Sequence, residues 1–232
     1  MNAALRPSRS ATTRRAENTT QKKVDASAAL WAHDLALLPP EALIVGIDEV
    51  GRGPLAGNVV AASVVLDRSG SPILGLNDSK KLTPVKRDAL DPIVRARAIA
   101  YTIGEATPEE IDSLNILQAT FLAMRRALEN ILQQLPATPA LLLVDGNQKI
   151  PGIALPQKTL VGGDGLSASI AAASVLAKVH RDAQLTEAEA AFPGYGFAGH
   201  KGYGTAEHRE AIARLGLTPI HRKSFCGNIV RD

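Results

Sequence analysis

Hydrophobic and polar positions follow two periods along this chain, and each predicts its own kind of element. Residues 43–47 are an unbroken apolar run, which predicts a buried strand, and the run ends in two adjacent carboxylates, Asp48 and Glu49. Gly51-Arg52-Gly53-Pro54 then punctuates a turn. Val59–Leu66, rich in valine, predicts a returning strand. Residues 140–144 repeat the first pattern, an apolar run that ends in Asp145-Gly146-Asn147. Ala98–Ala106 alternates as a strand does, and residues 159–161 predict a short strand before Gly162-Gly163-Asp164-Gly165. Between these runs the period becomes helical. Thr83 followed by Pro84 is a cap and a helix-starting proline, so Pro84–Arg97 is predicted as a helix. Thr107 and Glu110 have the spacing of a capping box, with a helix to about Leu114. Residues 116–135 place Leu117, Phe121, Met124, Leu128 and Leu132 on one face. Residues 167–191 predict a helix crowded with small side chains that can approach a sheet closely, and Thr205 caps a last helix to about Leu215. Residues 192–203 read as a glycine-rich loop, and 24–40 as a linker or short docking helix ended by Pro39-Pro40. This order is that of an α/β domain with a central sheet covered on both faces.

Length and charge refine the picture. A chain of 232 residues suffices for one large domain with a real core. No apolar run is long enough to cross a bilayer, and the N-terminus lacks the apolar centre of a secretory signal. The single cysteine, Cys226, has no internal partner and reads as a small apolar residue, which fits a reducing compartment and a cytoplasmic protein. Residues 1–23 hold six basic side chains and one acidic one, or +5. The whole chain carries +3, so the remainder is −2 and only a local basic patch could bind nucleic acid. The first 23 residues read as a disordered basic tail, with a composition shared with mitochondrial transit peptides.

Chemistry concentrates in the acids. Two predicted strands end in carboxylates, at Asp48-Glu49 and at Asp145, and a loop carries Asp164. Burying them costs several kcal/mol each unless something compensates. Oxygen-only ligation suits Mg²⁺ or Mn²⁺, and about −4 of charge suits two divalent ions, the logic of two-metal phosphodiester hydrolysis. Adjacent strand residues face opposite ways, so Asp48 and Glu49 should share a site only where the strand ends and twists into the Gly51 turn. Gly51-Arg52-Gly53 is not a dinucleotide fingerprint, because Pro54 follows directly and a strand comes next. Basic side chains gather as Lys80-Lys81, Lys178 with Arg181, His200-Lys201, and His221-Arg222-Lys223, a pattern that predicts tracking of a phosphate backbone. Asp182, four residues from Lys178, reads as its ion-pair partner and not as a ligand.

Together these stretches resemble ribonuclease HII, the bacterial type 2 ribonuclease H. The resemblance rests on 48–57 (Asp-Glu-Val-Gly-Arg-Gly-Pro-Leu-Ala-Gly) and on Asn-Asp-Ser-Lys-Lys-Leu at 77–82. It rests equally on Val-Asp-Gly-Asn at 144–147, Ala-Ala-Ser-Val-Leu-Ala-Lys-Val at 172–179 and Arg181-Asp182. His-Lys-Gly-Tyr at 200–203 and Ile-His-Arg-Lys-Ser-Phe at 220–225 complete a collinear match. It implies a ribonuclease H-like fold: a mixed sheet flanked by helices, a C-terminal helical region, and a catalytic domain over 41–232. It implies cleavage of RNA in RNA–DNA hybrids and nicking 5′ of single ribonucleotides in duplex DNA, as in ribonucleotide removal during replication and repair. The products carry 3′-hydroxyl and 5′-phosphate ends. By position, Asp48, Glu49, Asp145 and Asp164 become the catalytic metal ligands, for two Mn²⁺ or Mg²⁺ ions, in a monomer. Gly51, Arg52, Gly53, Ser79, Lys80, Lys178, Lys201 and Tyr203 become substrate contacts, with Tyr203 on the deoxyribose beside the ribonucleotide. The family commonly has Lys-Gly-Asp where this chain has Gly162-Gly163-Asp164, so one positive charge near Asp164 is missing.

Overall fold

The structure, a computed structural model, describes residues 26–229. Five strands form one mixed sheet in the order β3-β2-β1-β4-β5. They are β1 (Ile44–Val50), β2 (Val59–Leu66), β3 (Ala98–Ala106), β4 (Leu141–Asp145) and β5 (Gln157–Leu160). β1, β2 and β3 form an antiparallel meander, and β4 and β5 extend it in parallel. The helices are α1 (26–37), α2 (Pro84–Arg97), α3 (Pro108–Leu114), α4 (Ile116–Leu132), α5 (Ala168–Ala191), α6 (Phe197–His200), α7 (Ala206–Leu215) and α8 (Lys223–Cys226). Short 3₁₀ turns occupy Ser79–Lys81 and Gly163–Gly165.

The valine-rich β2 is buried at every position, and its period of two divides it between two cores. Val59, Ala61 and Val65 meet Phe121, Met124 and Leu128 of α4. Val60, Ala62, Val64 and Leu66 meet α1, α2 and α5. Both faces are therefore covered, as the apolar runs predicted. The small residues of α5 allow a close approach: a Cβ on Gly46 of β1 would stand 2.1 Å from the Ser169 carbonyl carbon. Thr83 and Ser167 cap α2 and α5, and the Thr107–Glu110 capping box forms on α3.

Several boundaries differ from expectation. β1 runs on through Asp48 and Glu49 to Val50 instead of ending before them. α4 stops at Leu132, and its buried stripe passes through Ile131 while Leu132 is exposed. β5 begins at Gln157, whose side-chain amide bonds the Ile150 backbone at 2.8 and 3.0 Å. The glycine-rich loop contains the one-turn helix α6. The docking helix exists as α1, with Leu30 and Trp31 buried in the second core. Its Asp34 accepts the Ser169 N–H and hydroxyl at 2.9 and 2.8 Å, an anion at the start of α5 where the helix dipole favours it. A third cluster, built from Leu55, Leu185, Tyr195, Phe197, Ile212 and Cys226, packs the C-terminal helices around the far end of α5. Cys226 is fully buried there, as a small apolar residue would be. The basic tail over 1–23 lies outside the described residues.

Candidate active site

The site forms where one strand outlasts its neighbour. Pairing of β1 with β4 stops at Ile47↔Val144, whereas pairing with β2 continues to Val50. One flank of Asp48 and Glu49 is thus open. Asp48 pairs with Ala62 and turns to the α5 side, where the Ser174 hydroxyl meets it. Glu49 pairs with Ala61 and turns to the α4 side, lining a cavity of about 50 Å³ with Arg52, Thr120, Asp145, Asn147 and Gln148. With no strand between them, the two carboxylates reach round the open flank from opposite faces. One oxygen each from Asp48, Glu49 and Asp145 lie within 4.8 Å of one another. The acids meet while still in the strand, so the expected twist into the turn is not what joins them.

Asp164 stands beside these three in its 3₁₀ turn, 3% exposed. The Gly163 N–H donates to Asp145 Oδ1 at 2.7 Å, which fastens that turn to the end of β4. Asp164 Oδ2 is buried and accepts no hydrogen bond, and its nearest cation is Lys80 Nζ at 3.5 Å. Lys80 thus puts a positive charge beside Asp164, where Gly162 supplies none. Burial, then Glu49, Asp145 and Asp164, hold the Asp48 carboxyl well above the usual carboxylate range. Burial raises Glu49 too, against the pull of Arg52. Burial and Asp78 raise Asp164, against Lys80. Crowded acids that resist ionisation, one with an orphaned buried oxygen, form an all-oxygen donor set suited to a hard divalent cation.

The loop 51–58 is clamped from beneath. Arg222 donates to the carbonyls of Gly51, Arg52, Pro54 and Gly57 at 2.6–3.1 Å. Arg181 donates to those of Ala56, Asn58 and Lys201 at 3.0–3.1 Å. Gly51, at φ +93°, has no room for a side chain: a Cβ would stand 2.3 Å from Arg181 Nε. The Leu55 N–H donates to the Gly202 carbonyl at 2.8 Å, which joins the loop to the turn carrying Tyr203. Tyr203 is 46% exposed, and its Cε1 lies 3.8 Å from where a Gly53 Cβ would be.

The basic side chains divide sharply. Arg52 and Lys80 are exposed at the site, with Arg52 Nη1 3.5 Å from Glu49 Oε1. Lys178 pairs with Asp182 at 2.7 Å, as its spacing predicted. Lys201 directs Nζ to the Asp182 carbonyl and the Thr186 hydroxyl. Ser79 is buried, with its hydroxyl 2.6 Å from that of Ser174, so it stands behind the group that meets Asp48. Arg181, His221 and Arg222, expected among phosphate-tracking charges, are instead buried and face the protein's own backbone. Their charge alone does not mark them as clamps. Arg181 does continue the buried Ile170–Ala173–Ala177 stripe of α5, a signal that pointed inward. A depression of about 870 Å³ between α6 and α7 contains none of the four carboxylates. Among these residues no helix is long and apolar enough to cross a membrane.

Comparison with known proteins agrees with this geometry. The family model described as Ribonuclease HII matches residues 45–228. A protein named Ribonuclease HII from Hyphomonas neptunium (strain ATCC 15444) is 51% identical over 193 residues, covering 79% of this chain and 93% of its own. The crystal structure of ribonuclease H2 from Pyrococcus horikoshii OT3 superposes with a TM-score of 0.63 at 24% identity, covering 81% of this chain and 96% of its own. That of Bst-RNase HIII in complex with Mn²⁺ gives 0.65 at 22% identity, covering 85% and 70%. At such identities the two structures speak for the ribonuclease H-like fold.

Proposed function

The chain belongs to the ribonuclease HII family, and from that premise we propose how its site performs the reaction. As a member it is a metal-dependent ribonuclease H, a hydrolase that acts on RNA–DNA hybrids and leaves 5′-phosphate ends. Our reading goes further: it also nicks duplex DNA 5′ of a single embedded ribonucleotide, leaving a 3′-hydroxyl, and so serves ribonucleotide removal. We take it to work as a cytoplasmic monomer through a catalytic domain over 41–232.

Asp48, Glu49, Asp145 and Asp164 would hold two Mn²⁺ or Mg²⁺ ions, which supply an activated water and offset charge on the leaving oxygen. Ser174, with Ser79 behind it, orients Asp48 for that task. Backbone groups of Gly51–Gly53 meet the ribose 2′-hydroxyl, the one group that separates RNA from DNA, and Arg52 meets a neighbouring phosphate. Lys80 adds a cation for phosphate. Tyr203 packs on the adjoining deoxyribose, and Lys178 and Lys201 flank the strand farther out. The observation that carries this reading is the half-exposed Tyr203 ring standing 3.8 Å from where a Gly53 Cβ would be, one short loop away from the carboxylates.

The test is a nicking assay on a duplex with one ribonucleotide, an all-DNA duplex and an RNA–DNA hybrid, each with Mg²⁺, Mn²⁺ or chelator. A metal-dependent cut immediately 5′ of the ribonucleotide is expected. Cleavage of the hybrid alone would remove the junction-sensing roles of Gly51–Gly53 and Tyr203.

A further inference from the structure

Three imidazoles meet beneath the Tyr203 turn. His208 on α7 and His221 are buried, and His200 stacks on His208 with ring centroids 4.3 Å apart. Backbone partners fix their proton positions. The Thr218 N–H can only donate, so His221 Nδ1, 2.9 Å away, is bare; the Thr218 hydroxyl lies 2.8 Å from the same nitrogen. A neutral His221 then carries its proton on Nε2, which lies 3.0 Å from Nε2 of His208. The Tyr203 carbonyl can only accept, so His208 Nδ1, 2.9 Å away, is protonated and its Nε2 is bare. Donor meets acceptor at every junction, in one direction: Thr218 N–H to His221, His221 to His208, His208 to the Tyr203 carbonyl. His200 is fixed likewise, accepting the Gly202 N–H at 3.1 Å and donating to the Tyr195 carbonyl at 2.7 Å.

A second proton on His208 would face the His221 N–H, and one on His221 would face the Thr218 N–H. The surroundings also oppose charge. Burial, with His200 and Arg209, lowers His208, and burial, with His208 and His200, lowers His221 to about 4. The phenol of Tyr195 lies against His221, the cation of Arg222 is its chain neighbour, and no carboxylate among the described residues pairs with either ring.

The turn they support needs support. Lys201 and Gly202 have φ of +51° and +81°, and the lysine occupies a region where a side chain is unfavourable by roughly 1–2 kcal/mol. Tyr203 follows directly, half-exposed. We propose that His208 and His221 are positioning residues: a relay of two neutral imidazoles that sets Tyr203 against Gly53 and so governs selection of a single ribonucleotide in duplex DNA over a continuous hybrid. This rests on the role given to Tyr203 above.

The test compares His208→Leu and His208→Asn with the wild type, reading kcat and KM on both substrates. Asparagine keeps a donor near the Nδ1 position for the Tyr203 carbonyl, and leucine has none. His208→Leu is expected to raise KM for the single-ribonucleotide duplex about tenfold, with kcat and hybrid cleavage within about twofold, and His208→Asn to recover most of the loss. Equal loss on both substrates, or no change in their ratio, would overturn the relay. Nitrogen-15 NMR of the wild-type enzyme at pH 7 tests it without any variant. The expected state is His208 protonated on Nδ1, the less common form of free neutral histidine, and His221 on Nε2; a charged or reversed pair would refute it. Tyr203→Ala separates the two levels. If it leaves the substrate ratio unchanged, the role of Tyr203 falls and the relay with it; if it shifts the ratio while His208→Leu does not, only the relay falls.

Discussion

At the open flank of β1, Asp48, Glu49 and Asp145 bring oxygens within 4.8 Å of one another, and beside them Asp164 keeps a buried oxygen with no hydrogen-bond partner. Beneath the next loop, Arg181 and Arg222 are as deeply buried, yet they make eight hydrogen bonds to backbone carbonyls. Both regions bury charge of a single sign, a costly arrangement. They differ in who satisfies it. The guanidiniums find their acceptors within the chain, and burial and Arg181 lower Arg222 only to about 9, so it stays charged at neutral pH. The carboxylates are only partly satisfied, Asp48 by the Glu49 N–H, Asp145 by the Gly163 N–H and Glu49 by Arg52 at 3.5 Å, and the remaining capacity is what we propose cations fill. Charge the fold has already satisfied holds shape, and charge it leaves unsatisfied is where we propose the chemistry occurs.

The sharpest way to break this contrast is to neutralise one member of each region. Asp48→Asn is expected to lower cleavage by on the order of a thousandfold or more, with binding of a ribonucleotide-containing duplex nearly unchanged. A gel-shift assay beside the nicking assay checks both halves, and near-normal cleavage would refute the metal-ligand role. Arg222→Met is expected to act on the fold instead. It strands the carbonyls of Gly51, Arg52, Pro54 and Gly57 in a buried site and should cost about 3–5 kcal/mol in urea unfolding.

Acid titration should give the two regions opposite signs. Glu105, bonded first by His180 and then by Gln184 and Asn58 at the base of the loop, is lowered from 4.5 to about 2. Its contribution to stability is therefore fully present above pH 4.5 and lost as pH falls toward 2. Asp48 is raised, so in chelator its cost is present at neutral pH and relieved as pH falls. Glu105→Gln should flatten the acid limb of thermal stability between pH 4.5 and 2, the window its shift defines. The smallest effect belongs to the tail. Removing residues 1–23 should weaken non-specific duplex affinity at low salt only, by loss of counterion release, with the cleavage site unchanged.

The same contrast explains how much could be read in advance. Asp48, Glu49 and Asp145 were legible because each ends or follows a local apolar run, and β2, α2 and the capping box of α3 were legible from local pattern and punctuation. The clamps were not. Arg222 meets Gly57 across 165 positions of sequence and Arg181 meets Ala56 across 125, so composition alone reads each as surface charge. Asp34 of α1 meets Ser169 across 135 positions, and nothing near it in sequence points to that partner. The sharing of one site by adjacent strand residues was opaque for another reason. It depends on where β4 stops relative to β1, a property of sheet register.

The central claim, that the carboxylate end is held at a cost that divalent cations relieve, is tested most directly by the melting temperatures of the wild type and Asp48→Asn, in chelator and in Mn²⁺. In chelator the variant should melt higher, by about 2–4 °C for each kcal/mol relieved, and Mn²⁺ should raise the wild type more than the variant. A variant that melts lower in chelator, or gains as much from Mn²⁺ as the wild type, would contradict the account.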